Sequence, residues 1–242
     1  MQHKNLKENA LTWYLLLAAM FIAALVACNL IFIKFFYWQP LAFLHNDNSF
    51  WSSVTAYTFV VSVGIIPYPI TFLITDVLSE IYGRKRANRV VTAGLIASLF
   101  TVLIVYIAIL VPATDFSVLS DAEFEKVFGN VVYGVGASMI AYLLAQYVDI
   151  RIFHFWKTLT KGKHLWLRNN FSTIPSQMID TLTILLILCG AGTLKWEQFF
   201  PLLINGFLFK VIIAAIDTPF FYLMIWWFRK KFNLKEGEEV EL

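Results

Sequence analysis

Two carboxylates stand four residues apart in an apolar stretch: Asp76 and Glu80, within residues 67–83. On a helix this spacing places them on one face, where like charges repel unless water, a cation or a ligand lies between them. Just upstream, Pro67 and Pro69 lack the backbone donors that a continuous helix needs. Interrupted helices with nearby carboxylates are typical of polar sites at depth in membrane proteins. The stretch therefore predicts a polar site inside a bilayer.

Further charged and amide side chains interrupt the later apolar runs. At about 1.5 Å per helical residue, Asp180 and Lys210 reach similar depths and can meet. A charge left alone in hydrocarbon costs at least about 2.5 kcal/mol, so such groups should face one another or a wet cavity. Two tyrosines, Tyr68 and Tyr142, would provide a stacking surface for a planar ligand beside these groups. The candidate substrate-binding residues are Asp76, Gln146, Asp180, Lys210, Asp149, Asn205, Gln177, Tyr68, Tyr142 and Glu80.

Structural interpretations of the same residues stay open. Asp180 and Lys210 can form a buried ion pair that sets helix register. Arg84 can reach Glu80 from the membrane surface, and Arg151 can neutralise Asp149, which would make both acids structural.

The composition indicates a membrane protein. Of 242 residues, 59% are hydrophobic and only 14% are charged, against roughly 25% charged in ordinary globular chains. The net charge of +3 is carried by short basic clusters between apolar runs, which argues against nucleic acid as a partner. Cys28 and Cys189 lie in apolar runs, and the four histidines lack ligand spacing. No metal or cofactor is predicted.

The apolar runs predict an all-α integral membrane protein with six transmembrane helices. The second is expected to be interrupted at Pro67 and Pro69. One domain, residues 11–228, is flanked by tails at 1–10 and 229–242. The predicted spans are about 11–36, 54–83, 90–111, 131–155, 171–188 and 202–228.

The basic residues predict the orientation. Fifteen Lys and Arg fall in the two tails and in the predicted loops 84–89 and 151–168, and three fall on the opposite side. By the positive-inside rule, both termini should be cytoplasmic, in a multi-pass protein of the plasma membrane.

The first predicted span carries a stripe of small residues. Ala19, Ala23 and Ala27 recur every four residues, which allows close helix contact. The stripe predicts either packing inside the bundle or docking of a partner helix, from a second copy or an energising membrane subunit.

Several motifs together have a specific likeness to one family. They are residues 71–87, TFLITDVLSEIYGRKRA, residues 141–149, AYLLAQYVD, then Arg168, Ser172, Thr173, Asp180, Thr181, and residues 209–211, FKV. These motifs resemble the vitamin uptake transporter family, whose best-defined members are queuosine precursor transporters. The resemblance implies a six-helix membrane protein, not an enzyme, similar to the substrate-binding subunits of energy-coupling-factor transporters. It further implies import of 7-deazaguanines for queuosine modification of tRNA: the 7-cyano form, the 7-aminomethyl form or queuine.

The implied substrate fits the chemistry of the candidate residues. A guanine-like edge offers a ring N–H beside an exocyclic amine, which a carboxylate accepts as a pair, and a carbonyl oxygen that needs a donor. Asp76 or Asp180 would be the carboxylate that accepts from the ring N–H and the amine. The donor to the carbonyl oxygen would be Gln146, Gln177, Asn205 or Lys210.

Two other functions are compatible with parts of the same sequence. The chain could be the binding subunit of an energy-coupling-factor-type importer for another small vitamin. An intramembrane aspartyl hydrolase using Asp76 with Asp180 is disfavoured, because no glycine-rich motif flanks either acid and Lys210 would disturb a proton-sharing pair. The energy source stays open between proton coupling, facilitation and an ATP-driven partner.

Overall fold

The computed structural model describes residues 2–32, 34–39, 56–161, 163–190, 192 and 194–240, with backbone alone at 2–5, 35, 130–134 and 137. Within these ranges the chain forms six α-helices, one two-stranded sheet and two short 3-10 helices, Val63–Ile65 and Trp196–Gln198. In chain order the elements are α1 Gln2–Ile31, β1 Phe35–Trp38, β2 Phe59–Ser62, α2 Tyr68–Ile81, α3 Arg84–Leu110, α4 Asp121–Leu159, α5 Leu165–Gly190 and α6 Phe199–Phe232.

The fold is that of an all-α membrane protein, as the apolar runs predicted. In the described ranges, five segments are long and apolar enough to cross a bilayer: Leu6–Ile31, Val63–Ile81, Arg84–Leu110, Leu165–Gly190 and Trp196–Phe232. The fourth predicted span, 131–155, lies within the 39-residue helix α4. The count of six membrane crossings stays a prediction.

Helix α2 is the central element of the bundle. Ten of its 14 residues are buried, and it packs against α1, α3, α4 and α6. In contrast, α3 exposes large apolar side chains such as Leu99, Phe100 and Leu103, as expected where hydrocarbon is the solvent. The polar residues of α2 therefore lie in the interior of the bundle.

The prolines begin α2 instead of interrupting a longer helix, which corrects the prediction for the second span. Pro67 is the residue before α2, and Pro69 lies in its first turn, where a missing N–H costs nothing. Upstream, residues 59–62 pair antiparallel with β1, Phe35 opposite Ser62 and Trp38 opposite Phe59. Phe and Val are good strand formers, and this explains why the run is extended. Predicted span residues 54 and 55 lie outside the described ranges.

Several helices extend beyond the predicted spans. Helix α1 already begins at Gln2, so residues 2–10 continue it, and α6 ends only at Phe232. The predicted basic loop 151–168 is largely helical, with α4 and α5 joined by residues 160–164. Lys and Arg are good helix formers, so a basic segment can continue a helix. Charge pattern thus did not predict where the helices end.

The bundle has two different ends. The ends of α2, α4 and α6 meet the starts of α1, α3 and α5 at what we call the basic end, where Tyr82 Oη donates to the Ala10 carbonyl at 2.9 Å. The sheet lies at the opposite end, the hairpin end, with Trp38 packed on Phe59 and Phe209 at ring-centroid distances of 5.6 and 4.8 Å.

Candidate functional site

A cavity of about 740 Å³ lies between the helices in the half of the bundle nearer the hairpin end. Residues of α1, β2, α2, α4, α5 and α6 line it, most of them apolar. An apolar cavity with a few convergent polar groups is typical of small-molecule sites. The sequence-predicted site residues that line it are Tyr68, Tyr142, Asp180, Asn205 and Lys210.

The main charged feature of the cavity is an ion pair between α5 and α6. Lys210 Nζ donates to Asp180 Oδ2 and lies 5.0 Å from the centroid of the Tyr68 ring. Oxygen Oδ1 of Asp180 is buried and accepts no hydrogen bond in the described part of the chain, and the Tyr68 hydroxyl, which is also unpaired there, lies near this carboxylate. The predicted contact between Asp180 and Lys210 is therefore present, and the carboxylate keeps an accepting oxygen.

Two tyrosines form an aromatic wall beside this ion pair. The Tyr68 and Tyr142 rings lie 6.0 Å apart at 68° to each other, and Phe72 packs on both. Gln146 Nε2 donates to Tyr142 Oη at 2.8 Å. Gln146 itself does not line the cavity, but its amide Oε1 is buried without a donor among the described residues. The wall thus connects the cavity with a deeper polar group.

Asp76 and Asp149 form that deeper polar layer. Both carboxyl groups face one turn of α5, residues 173–176, and influence each other electrostatically, and they are 2% and 0% exposed. Thr173 Oγ1 donates to Asp76 Oδ2 at 3.5 Å, and Ser176 Oγ donates to Asp149 Oδ1 at 3.0 Å. In the described ranges, the other oxygen of each carboxyl group has no donor. Neither acid lines the cavity.

A narrow recess lies between the cavity and this acid layer. Tyr68 and Lys210 line both the recess and the cavity, and Thr173, which donates to Asp76, lines the recess. Gln177 and Asp217 also face it. Its volume, about 20 Å³, suits a water molecule and no larger solute.

Glu80 lies at the basic end, in a cluster of cations. Arg168 contacts its two carboxylate oxygens at 2.9 and 3.1 Å, and Arg229 Nη2 contacts Oε1 at 2.6 Å. Lys157 Nζ lies 3.7 Å from Oε2 and donates to the Glu80 backbone carbonyl at 3.0 Å. Glu80 is fully buried and does not line the cavity. This arrangement supports a structural role for Glu80.

The structure corrects two expected partners. Arg84 and Arg151 are exposed, and Glu80 and Asp149 instead contact the side chains described above. Sequence spacing did not predict the partners of Glu80, which are Arg168, Lys157 and Arg229. A weak signal existed for Arg168, which belongs to the motifs that carry the family resemblance. The candidate residues thus occupy three places, the cavity, the acid layer and the basic end.

The alanine stripe of α1 is turned away from the bundle at two of its three positions. Ala19 and Ala23 are exposed, and Ala27 is half-buried. The interpretation as packing inside the bundle therefore does not hold for Ala19 and Ala23.

Comparisons with known proteins agree with this architecture. A family model described as "Putative vitamin uptake transporter" matches residues 62–224. The chain is 26% identical over 188 residues to the "Probable queuosine precursor transporter" of Bacillus subtilis, covering 77% of this chain and 81% of the relative. It is also 26% identical over 156 residues to the "Queuosine precursor transporter" of Escherichia coli, covering 63% and 67%. No solved structure matches the chain.

Proposed function

The chain belongs to the vitamin uptake transporter family, and we propose that it imports queuosine precursors of the 7-deazaguanine class across the plasma membrane. As a family member it is a transporter, not an enzyme. The observation that carries the substrate proposal is the cavity, in which an ion pair with a free accepting oxygen lies beside an aromatic wall.

The ion pair complements the polar edge of a guanine-like base. Asp180 accepts from the ring N–H and the exocyclic amine, and Lys210 or Asn205 donates to the neighbouring carbonyl oxygen. Lys210 is 12% exposed at its side chain, so it can turn from Asp180 to the solute without leaving the bundle. Tyr68 and Tyr142 pack against the flat rings. Substrates of this site are the 7-cyano form, the 7-aminomethyl form or queuine.

The direction of import follows from the predicted orientation. The positive-inside rule assigns the basic end to the cytoplasm, so the cavity opens toward the outside. Beyond it lie the acid layer and then the Glu80 cluster. Passage inward would require these two layers to separate.

Uptake in cells tests the proposal. A strain that cannot make queuosine precursors receives each one, with and without this gene, and queuosine in its tRNA is measured. We expect queuosine only with the gene, and a strong reduction in Asp180→Asn and Lys210→Met. Lys195→Met, which changes an exposed lysine near the hairpin end, is the matched control. Equal queuosine with and without the gene would contradict the proposal.

A second candidate function rests on the exposed alanines of α1. Ala19 and Ala23 are free on the surface, which suits a binding subunit that docks onto an energising membrane partner. Uptake that requires such a partner, and loss of both co-purification and uptake in Ala23→Leu, would favour this function. Uptake by the purified chain alone in liposomes would exclude it.

A further inference from the structure

The two carboxyl groups of the acid layer lie against the same turn of α5. One oxygen of Asp76 accepts from Thr173 and one oxygen of Asp149 accepts from Ser176. The remaining oxygen of each is buried and has no donor from the described residues. An ionised carboxylate is an acceptor only, so these two oxygens can satisfy each other only if a proton lies between them.

No cation of the described residues balances this pair, since none of their ion pairs includes Asp76 or Asp149. From α6, Asp217 adds a further negative charge that acts on Asp76. Two ionised carboxylates at this depth would repel each other, and burial would penalise both charges. One proton on the pair would relieve both effects.

The neighbouring elements offer no substitute for that proton. Glu80, one turn beyond Asp76 on α2, already forms ion pairs with three cations at the basic end. On α5, Asp180 is paired with Lys210, and the groups that reach the pair are hydroxyls. Residues 11–31 of α1 are uncharged, and the basic residues of α3 lie in its first six residues, 84–89, at the basic end.

We propose that Asp76 and Asp149 form a proton-binding site, and that its proton is exchanged during each cycle of solute import. This inference rests on the proposed function for the identity of the solute. The proton enters from the outside and is held between the two carboxyl groups. It is released to the cytoplasm when the side chains of the acid layer and of the Glu80 cluster separate. One proton therefore moves inward with each solute molecule, and the pair alternates between one and two negative charges.

A short polar route connects this site with the solute cavity. Tyr142 lines the cavity and accepts a hydrogen bond from Gln146, which lies three residues before Asp149 and on the same face of α4. The recess that contains Thr173 gives a second route, from Lys210 toward Asp76. A solute that displaces Lys210 or packs on Tyr142 thus alters the surroundings of both acids, which is the physical basis for coupling.

Transport by the purified protein in liposomes tests the coupling. With a proton gradient of about one pH unit, outside acidic, the protein should accumulate the uncharged 7-cyano-7-deazaguanine about tenfold, because one unit of pH is a tenfold ratio. A pH-sensitive dye should report acidification of the lumen as solute enters. Asp149→Asn and Asp76→Asn should lose accumulation while still exchanging labelled for unlabelled solute. Asp115→Asn, an exposed acid outside the bundle, should behave as the natural protein.

Infrared spectroscopy gives a readout that does not depend on the solute. The purified protein should show a protonated carboxylic acid band near neutral pH that is reduced in Asp149→Asn and in Asp76→Asn but not in Asp115→Asn. Absence of that band overturns the proposal.

The outcomes separate this inference from the proposed function. Exchange without any response to the proton gradient overturns the coupling and leaves the transport function intact. A response to a sodium gradient instead would identify a metal cation as the ligand and also overturn it. Failure to exchange any 7-deazaguanine contradicts the proposed function, and the infrared band then decides the proton site alone.

Discussion

Glu80 and Asp180 are both buried acids that face cations from other helices, but they differ in how completely they are paired. Three cations contact Glu80. Asp180 contacts one, and its Oδ1 has no donor within the described ranges. The first arrangement fixes four helix ends to one another. The second keeps hydrogen-bonding capacity inside a cavity, which is what recognition of a solute requires.

The difference extends to the packing around each acid. At the basic end the chain returns after α6, and the Val240 backbone N–H donates to the Ile81 carbonyl at 2.7 Å, covering the end of α2. Around Asp180 the helices leave a cavity of about 740 Å³. On the proposed function, the two halves of the bundle have different tasks, stability at the basic end and binding at the cavity.

The largest effect on stability is expected for Glu80→Gln. The substitution leaves Arg168, which is fully buried, without its counter-charge, and breaking a buried pair from one side costs about 3–5 kcal/mol. The melting temperature in detergent should fall by on the order of 10 °C. A loss no greater than that of Glu239→Gln, which removes a half-exposed acid of the same end, would show that the cluster does not stabilise the bundle.

Asp180→Asn should weaken solute binding more than it lowers stability, in contrast to Glu80→Gln. Hydrogen bonds to a charged group contribute about 1.5–3 kcal/mol, so solute affinity should fall about 10- to 100-fold. The melting temperature should change less than in Glu80→Gln. Lys210 borders a cavity, so water can solvate its ammonium group when the carboxylate is lost. Binding of a radiolabelled precursor and thermal unfolding measure the two effects on the same sample. Unchanged binding would remove Asp180 from the site.

The sequence predicted one of these two regions much better than the other. The pair of Asp180 and Lys210 followed from depth alone, since both reach similar depths when about 1.5 Å per residue is counted from the starts of their predicted spans. The partners of Glu80 did not, because Arg168 and Arg229 are 88 and 149 positions away and spacing along one chain cannot show which helix ends meet. The nearby Arg84 was the obvious choice, but it begins α3 and faces solvent.

The hairpin end was predicted least well, for a related reason. Residues 59–62 are as apolar as a membrane helix, and their extended form depends on pairing with residues 35–38. The two prolines marked a real boundary, but they fit both an interrupted helix and the start of a new one. Short strands of four residues leave too little pattern to decide between these possibilities.

Gly83→Ala tests the joint between α2 and α3 at the basic end. Gly83 has φ +84°, and a Cβ there would lie 2.1 Å from a carboxylate oxygen of Glu239. At φ +84° and ψ 164° the backbone lies in a region that essentially only glycine adopts, so an alanine there costs on the order of 1–3 kcal/mol, and the tail must also shift. We expect a lower melting temperature with solute affinity unchanged. The double change Gly83→Ala with Glu239→Ala removes the collision but keeps the backbone strain, so it should recover only part of the loss.

The smallest effect is expected for Glu239→Gln, at the edge of the same cluster. Glu239 Oε1 contacts Lys157 at 3.0 Å, but its side chain is 44% exposed, and such surface pairs contribute at most about 1 kcal/mol. Lys157 keeps its bond to the Glu80 carbonyl, so thermal unfolding should change little and high salt should abolish the difference. Because the backbone of Val240 still bonds to Ile81 and Arg86, the tail should stay in place. A loss as large as that of Glu80→Gln would mean that the tail, and not the buried carboxylate, holds the basic end together.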